Sequence, residues 1–569
     1  MPHVKNILTE DTHDEPGRND AGGFDFHNIE NAATVPEDNS HRCLILAFDG
    51  TGNQFDDDNS NVVNFVSLLK KDKPEKQLVY YQAGIGAYNM KHGASPVRAK
   101  LSQIVDAMIA KNLDRHVIAG YEFLSDNYQE GDKIFLFGFS RGAYIARSLA
   151  GMLHKVGLLP RGNRQQIPFA FTMYSREDEE GWRQSTAFKR SFSIDVSVEM
   201  VGVWDTVASV GIIPKRLPFT LSNTHIRYFR HALALDEHRV RFQPSFYIRP
   251  RKKDVKEHKH DHSNSEHTRQ ASGSSSNGDG ATRRLSMAST DTRVGGSVRG
   301  KDADFDDDHH DEDAGKNNGK ANGNGKDKDK NGKDGDKDKD GKRKGEKLRK
   351  MERKYGDGGK YITDVQEVWF SGCHCDVGGG AVRNDERYSL ARIPLRWMIR
   401  QCFMLNTGIL FYRDLLPRVG LDPTTLYPEI QPRPPPLNAD DARYSAHTRK
   451  ATDATMVEGA DPFVNEELED LRDACMPTND ELKRVKAWWL LECIPAKARI
   501  QNDKDEWVKK YKFHMGSGRC VPRRKNEEPK IHRTVKTRME AKNLTEGPYK
   551  CKATWAPQNP KWVGGCEHD

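Results

Sequence analysis

The stretch that most constrains the fold is residues 133–156, KIFLFGFSRGAYIARSLAGMLHKV, where an apolar run passes into an amphipathic one with no linker between them. KIFLFGFS (133–140) shows little polar alternation, as expected of a strand covered on both faces of a parallel sheet. Ala146, Leu149, Ala150, Leu153 and Val156 then recur at helical spacing, so a helix begins at the strand end. The junction reads Gly138-Phe139-Ser140-Arg141-Gly142. A G-x-S-x-G in this setting is the pattern of a nucleophile elbow. The serine sits on a strained strand-to-helix turn, and glycines two residues to either side let the backbone pass without Cβ clashes. The bland alternative is a tight glycine-flanked turn with an idle serine.

The flanking sequence extends the pattern. RCLILAF (42–48) reads as a buried strand ending in the turn Asp49-Gly50-Thr51-Gly52, and Val62, Phe65, Val66 and Leu69 follow at helical spacing. QLVYYQAG (77–84) reads as a strand and Leu101–Tyr128 as helix with one break; VEMVGVWD (198–205) and VQEVWFSG (365–372) read as strands and Leu390–Leu405 as helix. Strands alternating with helices predict an α/β domain with a largely parallel sheet flanked by helices. Its two parts are expected at 41–250 and 361–415, after a polar tail (1–40) and before a C-terminal extension (416–569) that reads as mainly helical.

Residues 251–354 interrupt that domain with only eight of V, I, L, M, F, W or Y, too few to offset the entropy of ordering them. A disordered charged insertion over 251–360 is therefore expected. It carries an acidic block (eight of residues 302–313), a basic block (eight of 342–354) and Arg283-Arg284-Leu285-Ser286, shaped like a basophilic kinase site. Opposite blocks in one loop suit attraction to each other or to a protein partner, although a solvated spacer is the commoner reading.

Several function classes fall away. The net charge of +7 is a small difference between 90 basic and 83 acidic residues, and no basic stripe interleaved with aromatics argues for nucleic acid. No apolar run reaches the roughly 18–20 residues of a membrane span, and the N-terminus lacks a secretory apolar stretch, so a cytoplasmic protein is expected. Nine scattered cysteines without a CxxC pair suggest neither a disulfide framework nor a zinc knuckle; Cys373 and Cys375 around His374 make at best a weak metal site, and none is expected. The basic-then-aromatic segment Lys483–Leu491 suits a packed helix or, less commonly, a peripheral membrane contact.

A serine hydroxyl needs a base and an orienting acid, which this kind of fold supplies at later strand ends. Asp205 stands where VEMVGVW runs out, a position its rivals Asp236 and Asp376 lack on the sequence pattern; His374 follows VQEVWFSG and precedes a glycine-rich turn. His116, His154, His225, His231 and His238 fall on helical or loop patterns and read as structural. Ser140, Asp205 and His374 are therefore the expected catalytic set, with the backbone N–H groups of Arg141 and of Gly50 or Thr51 meeting the oxyanion. Asp49 has other readings, as a cap for the next helix or as a cation ligand with Asp56, Asp57 and Asp58. The chemistry is serine-dependent hydrolysis of an acyl ester and calls for no cofactor. A thioesterase or peptidase would use the same groups, and a non-catalytic scaffold would keep the fold without the reaction.

LILAFDGTGN, YYQAGIG, GFSRGAYIARSLAGMLHKVGLL, VGVWDTVASVG, and EVWFSGCHCDVGGG followed by LARIPLRWMI together resemble the α/β-hydrolase-like family that includes the type VI secretion phospholipase effectors, its fungal members foremost. The resemblance covers about 41–250 and 361–410. It implies that Ser140, Asp205 and His374 are the family's triad and that lipid esters, phospholipids foremost, are the substrate class. Residues 416–569 and the charged insertion fall outside the pattern.

Overall fold

In a computed structural model, the residues described are 32–85, 113–207, 217–248, 347–355 except 349 and 353, 362–439, 463–501, 507–522, 528–542, 544–554 and 560–564. They belong to one compact unit built from 1–249 and 342–569. The charged blocks at 302–313 and 342–346, the Arg283–Ser286 motif and the predicted helical stretch 101–112 lie outside them.

The architecture follows from how thoroughly the apolar runs are buried. β1 (Cys43–Phe48) is buried at all six positions. Its alternate side chains divide between two cores: Leu44, Leu46 and Phe48 join one, and Cys43, Ile45 and Ala47 the other. A strand can satisfy that pattern only with helices on both faces. Around it lie β2 (Gln77–Gln82), β3 (Lys133–Phe139), β4 (Val198–Trp204), β5 (Ile226–Ala234), β6 (Asp364–Phe370), β7 (Lys530–His532) and β8 (Lys561–Val563). They form one sheet in the order β8-β7-β6-β5-β4-β3-β1-β2, every neighbouring pair parallel.

On one face pack α2 (Leu113–Asn127) and α3 (Ser140–Val156), with Tyr121, Leu124, Leu149 and Leu153 in the shared core. On the other, α1 (Asn61–Ser67) brings Val62 and Phe65 against Phe137 and Trp204, beside Trp397 and Met398 of α5 (Arg392–Met404). Ser60, rather than Asp49, caps α1, accepting from the Val63 N–H.

Two parts of the sheet differ from what the sequence pattern suggested. IRYFRHALA is a full strand, β5, so His231 lies on a strand and not on a helix or loop, and Asp236 stands just past a strand end after all. Arg230 and His231 break the apolar run, yet both are buried with partners: Arg230 donates to Gln401 and Asp364, and His231 Nδ1 pairs with Glu367 at 3.1 Å. The C-terminal region, besides helices such as α6 (Glu466–Ala474), supplies β7 and β8 and so extends the same sheet. Leu348 and Met351, at the end of the charged stretch, are buried with Trp182 and Phe219.

Because the strands run parallel, their carboxyl ends share one edge, where open α/β sheets place their functional groups. Asp49, Ser140, Asp205, Asp236 and His374 follow β1, β3, β4, β5 and β6 there.

Candidate active site

Ser140 is the first residue of α3 and has φ 58°, a left-handed value that costs a non-glycine residue of order 1–3 kcal/mol. The packing on either side enforces it. A Cβ on Gly142 would lie 2.1 Å from the Phe48 carbonyl oxygen, and one on Gly138 would lie 2.6 Å from the Gly142 carbonyl. β3, β1 and α3 thus meet too closely for any side chain, and the serine is turned out of the sheet. Asp205, immediately after β4, has φ 39° and is likewise held in an unfavourable backbone conformation.

The three side chains meet although the sequence separates them widely. His374 Nε2 lies 2.8 Å from Ser140 Oγ, and His374 Nδ1 lies 2.6 Å from Asp205 Oδ2. The imidazole belongs to the short helix α4 (His374–Gly378), which Cys373 and Asp376 close with a reciprocal capping box. Phe139 covers it at 4.6 Å between ring centres, and Phe242 abuts it at 4.9 Å. Its backbone N–H donates to Glu237 at 3.2 Å.

The electrostatics suit proton transfer. Burial pushes the His374 imidazole below its ordinary value, against the pull of Asp205, so the ring is neutral near pH 7. Burial opposes the charge on Asp205 too, but Arg519 and then His374 overcome it and hold the carboxyl far below the usual carboxylate range. An ionised Asp205 accepts the Nδ1 proton, which leaves Nε2 as the lone-pair nitrogen facing the serine hydroxyl.

The rival acids have other duties. Asp236 accepts from the Gly372 N–H at 2.6 Å, the Lys552 N–H at 2.9 Å and Tyr549 Oη at 2.7 Å. Asp376 accepts from the Cys373 N–H and from Asn479, and burial raises it to about 6. Asp49 is turned inward, accepting from Tyr81 Oη at 2.8 Å and from the Gly50 N–H at 2.7 Å; burial raises it, too, to about 6.

Of the expected oxyanion donors, Gly50 touches the site closely, since a Cβ there would lie 3.5 Å from Ser140 Cβ, but its N–H is spent on Asp49. Arg141 is the second residue of α3, in the first turn where N–H groups find no acceptor within the helix. Thr51 follows in the same loop, its Oγ buried without a hydrogen bond among the described residues. Cys373 and Cys375 do not join His374 in a metal site: Cys373 Sγ donates to the Asp236 carbonyl, and among the described residues no group of three or more His, Cys, Asp or Glu side chains is arranged for an ion.

Residues 42–401 match the model of the T6SS phospholipase effector Tle1-like catalytic domain. The chain belongs to this family. It therefore falls among lipase- and phospholipase-type hydrolases. A curated relative, the uncharacterized protein YEL023C of Saccharomyces cerevisiae, is 25% identical over 529 residues, covering 85% of this chain and 77% of the yeast protein. Among solved structures, an uncharacterized protein from Pseudomonas aeruginosa aligns at 15% identity and TM-score 0.29 over 76% of this chain and 53% of that one. The Tle1 effector bound to the VgrG spike of the type 6 secretion system aligns at 18% identity and TM-score 0.18 over 36% and 47%. The chain thus spans about half the length of each solved relative.

The sequence reading missed Arg519, whose guanidinium lies on Asp205 at 2.6 and 2.8 Å. It sits in HMGSGRCVP, with no periodicity or motif to single it out, and its partner is 314 residues away.

Proposed function

We propose that the protein is a serine carboxylic ester hydrolase acting on lipid esters, phospholipids foremost. The observation that carries this reading is the unbroken chain Ser140 Oγ–His374–Asp205 Oδ2, with links of 2.8 and 2.6 Å, at a strained strand-to-helix turn. His374 Nε2 takes the Ser140 proton as Oγ attacks the acyl carbonyl. Asp205 stays ionised, fixes the tautomer and stabilises the imidazolium. The N–H groups of Arg141 and Thr51 receive the oxyanion. His374 then protonates the departing alcohol, and water hydrolyses the acyl enzyme by the reverse set of transfers. A fluorophosphonate probe should label the full-length protein once, at Ser140. Absence of labelling, or equal labelling of Ser140→Ala, defeats the reading.

The lipid class has support of its own. No described helix is long and apolar enough to cross a membrane. Trp488 turns inward onto Phe242, which itself packs on His374, whereas Trp489, Leu490, Ile494, Phe513 and Met515 are exposed near the same part of the chain. Lys483 and Arg484, also exposed though ion-paired with Asp480 and Glu481, lie close in sequence. Apolar side chains flanked by cations suit an anionic bilayer surface. Replacing Leu490, Ile494 and Phe513 together by Gln should lower hydrolysis of anionic phospholipid vesicles by about tenfold or more, because even partial burial of the three side chains at the surface contributes about 1.5 kcal/mol or more in all. Turnover of a soluble short-chain ester should stay within about twofold. Equal loss on both substrates would show that the patch is merely structural.

A further inference from the structure

The third partner of Asp205 lies outside the family match, in the C-terminal region. Arg519 donates through one terminal nitrogen to Asp205 Oδ1 at 2.6 Å and through the other to Oδ2 at 2.8 Å, and both side chains are fully buried. The same guanidinium also donates to the carbonyls of Ala234 (2.9 Å) and Phe242 (2.5 Å), which tie it to the end of β5 and to the residue packed against His374. Its backbone is clamped in turn: the Thr554 N–H donates to the Arg519 carbonyl at 2.8 Å, the Val521 N–H donates to the Thr554 carbonyl, and a Cβ on Gly518 would lie 1.8 Å from the Lys552 carbonyl oxygen.

We propose that Arg519 is a positioning residue of the active site, a two-point clamp that fixes the Asp205 carboxylate on His374 and makes the segments around Arg519 and Thr554 part of the catalytic unit. The proposal rests on the ester-hydrolase reading. A planar fork matches both carboxylate oxygens at once, which an ammonium cannot do. Asp205 Oδ2 is thereby held to the direction of His374 Nδ1, while the Ala234 N–H, at 3.1 Å, closes the far side of Oδ1. The clamp also supplies charge. A carboxylate this deeply buried with only a neutral imidazole would tend to take up a proton, and a protonated acid neither accepts from Nδ1 nor stabilises an imidazolium.

The other charged groups facing the pair are Glu237 and Arg239 beyond β5, ion-paired to each other at 2.8 Å. His231 of β5 faces Asp205 and pairs with Glu367, and Asp376 lies on the helix of His374 itself. None of them replaces Arg519 on the carboxylate. Removing its positive charge raises the proton affinity of both Asp205 and His374. Whichever of the two protonates first, the acid limb of activity moves to higher pH.

The test compares the full-length parent with Arg519→Met and Arg519→Lys on a soluble short-chain ester across about pH 5–9, with circular dichroism to establish folding. In Arg519→Met, kcat should fall by about 10²-fold or more at a KM within about threefold, and the acid limb should rise by about one pH unit or more. Arg519→Lys keeps the charge but not the fork, so its limb should stay in place while kcat falls by about tenfold. A folded Arg519→Met with the parental limb, or with kcat within about threefold of the parent, overturns the proposal. If that variant does not fold, Arg519→Lys decides alone: reduced kcat at constant KM sustains the clamp and unaltered kcat overturns it. A parent that neither turns over ester nor labels with fluorophosphonate defeats the hydrolase reading itself. A labelled parent whose folded Arg519→Met labels at the same rate and pH dependence defeats only the clamp.

Discussion

Ser140→Ala is expected to lower kcat for ester hydrolysis by about four to six orders of magnitude while leaving the thermal unfolding temperature close to that of the parent. The reaction loses its covalent step. What is left is water attacking an acyl carbonyl polarised by the oxyanion donors, and that residue of catalysis is worth about 10³–10⁴ over uncatalysed hydrolysis. Stability should hardly change, because among the described residues the one side-chain bond removed is that to His374 Nε2, at 2.8 Å, beside a serine 5% exposed where water can take its place. The backbone strain at φ 58° is common to serine and alanine and cancels in the comparison. The measurement is kcat on a short-chain ester alongside a melting curve. Residual kcat within about a hundredfold of the parent would mean that another nucleophile does the work.

How much of this arrangement the amino-acid sequence discloses depends on whether a residue's neighbours in space are also its neighbours in the chain. β1, β3 and α3 are legible because each buries an unbroken run or stripe: all six positions of β1 and all seventeen of α3 are buried. The turn that carries Ser140 is legible for the same reason, since Gly138, Gly142 and the flanking elements are contiguous. Asp205 and His374 follow recognisable strands, and the structure brings both to Ser140.

β5 escapes the pattern because Arg230 and His231 interrupt it. Their side chains pair with Gln401, Asp364 and Glu367, partners that lie more than a hundred residues downstream, and His231 Nε2 accepts from the Thr206 N–H. Strands of three residues, such as β7 and β8, carry no periodicity at all. Arg519 is the extreme case. Nothing local marks it, and its meaning comes entirely from a carboxylate 314 residues upstream.

That carboxylate gives the other large expected effect, and here activity and stability should fall together. Asp205→Asn should lower kcat by about 10⁴-fold and also destabilise the fold by about 3–5 kcal/mol, or about 4–7 °C in melting temperature. The reason lies in who faces the side chain. Four donors converge on the carboxylate: His374 Nδ1 and Arg519 on Oδ2, and Arg519 and the Ala234 N–H on Oδ1. An amide offers one oxygen and one NH2 in their place. With the NH2 at the Oδ2 position, it opposes an Arg519 N–H and turns His374 to the tautomer that carries its proton on Nε2, which can no longer accept from Ser140. With the NH2 at the Oδ1 position, it opposes both Arg519 and the Ala234 N–H. Either orientation also leaves the Arg519 charge buried without its anion, and that uncompensated charge accounts for the loss of stability. An acid paired with histidine alone would lose activity at little cost in stability, so the two measurements separate the cases. Asp205→Asn melting within about 1 °C of the parent, against the shift expected for a charge left unpaired, would show that the Arg519 pair contributes nothing to the fold. A melting temperature restored by adding Arg519→Met to Asp205→Asn, with activity still absent, would assign the destabilisation to the orphaned guanidinium and the catalytic loss to the tautomer.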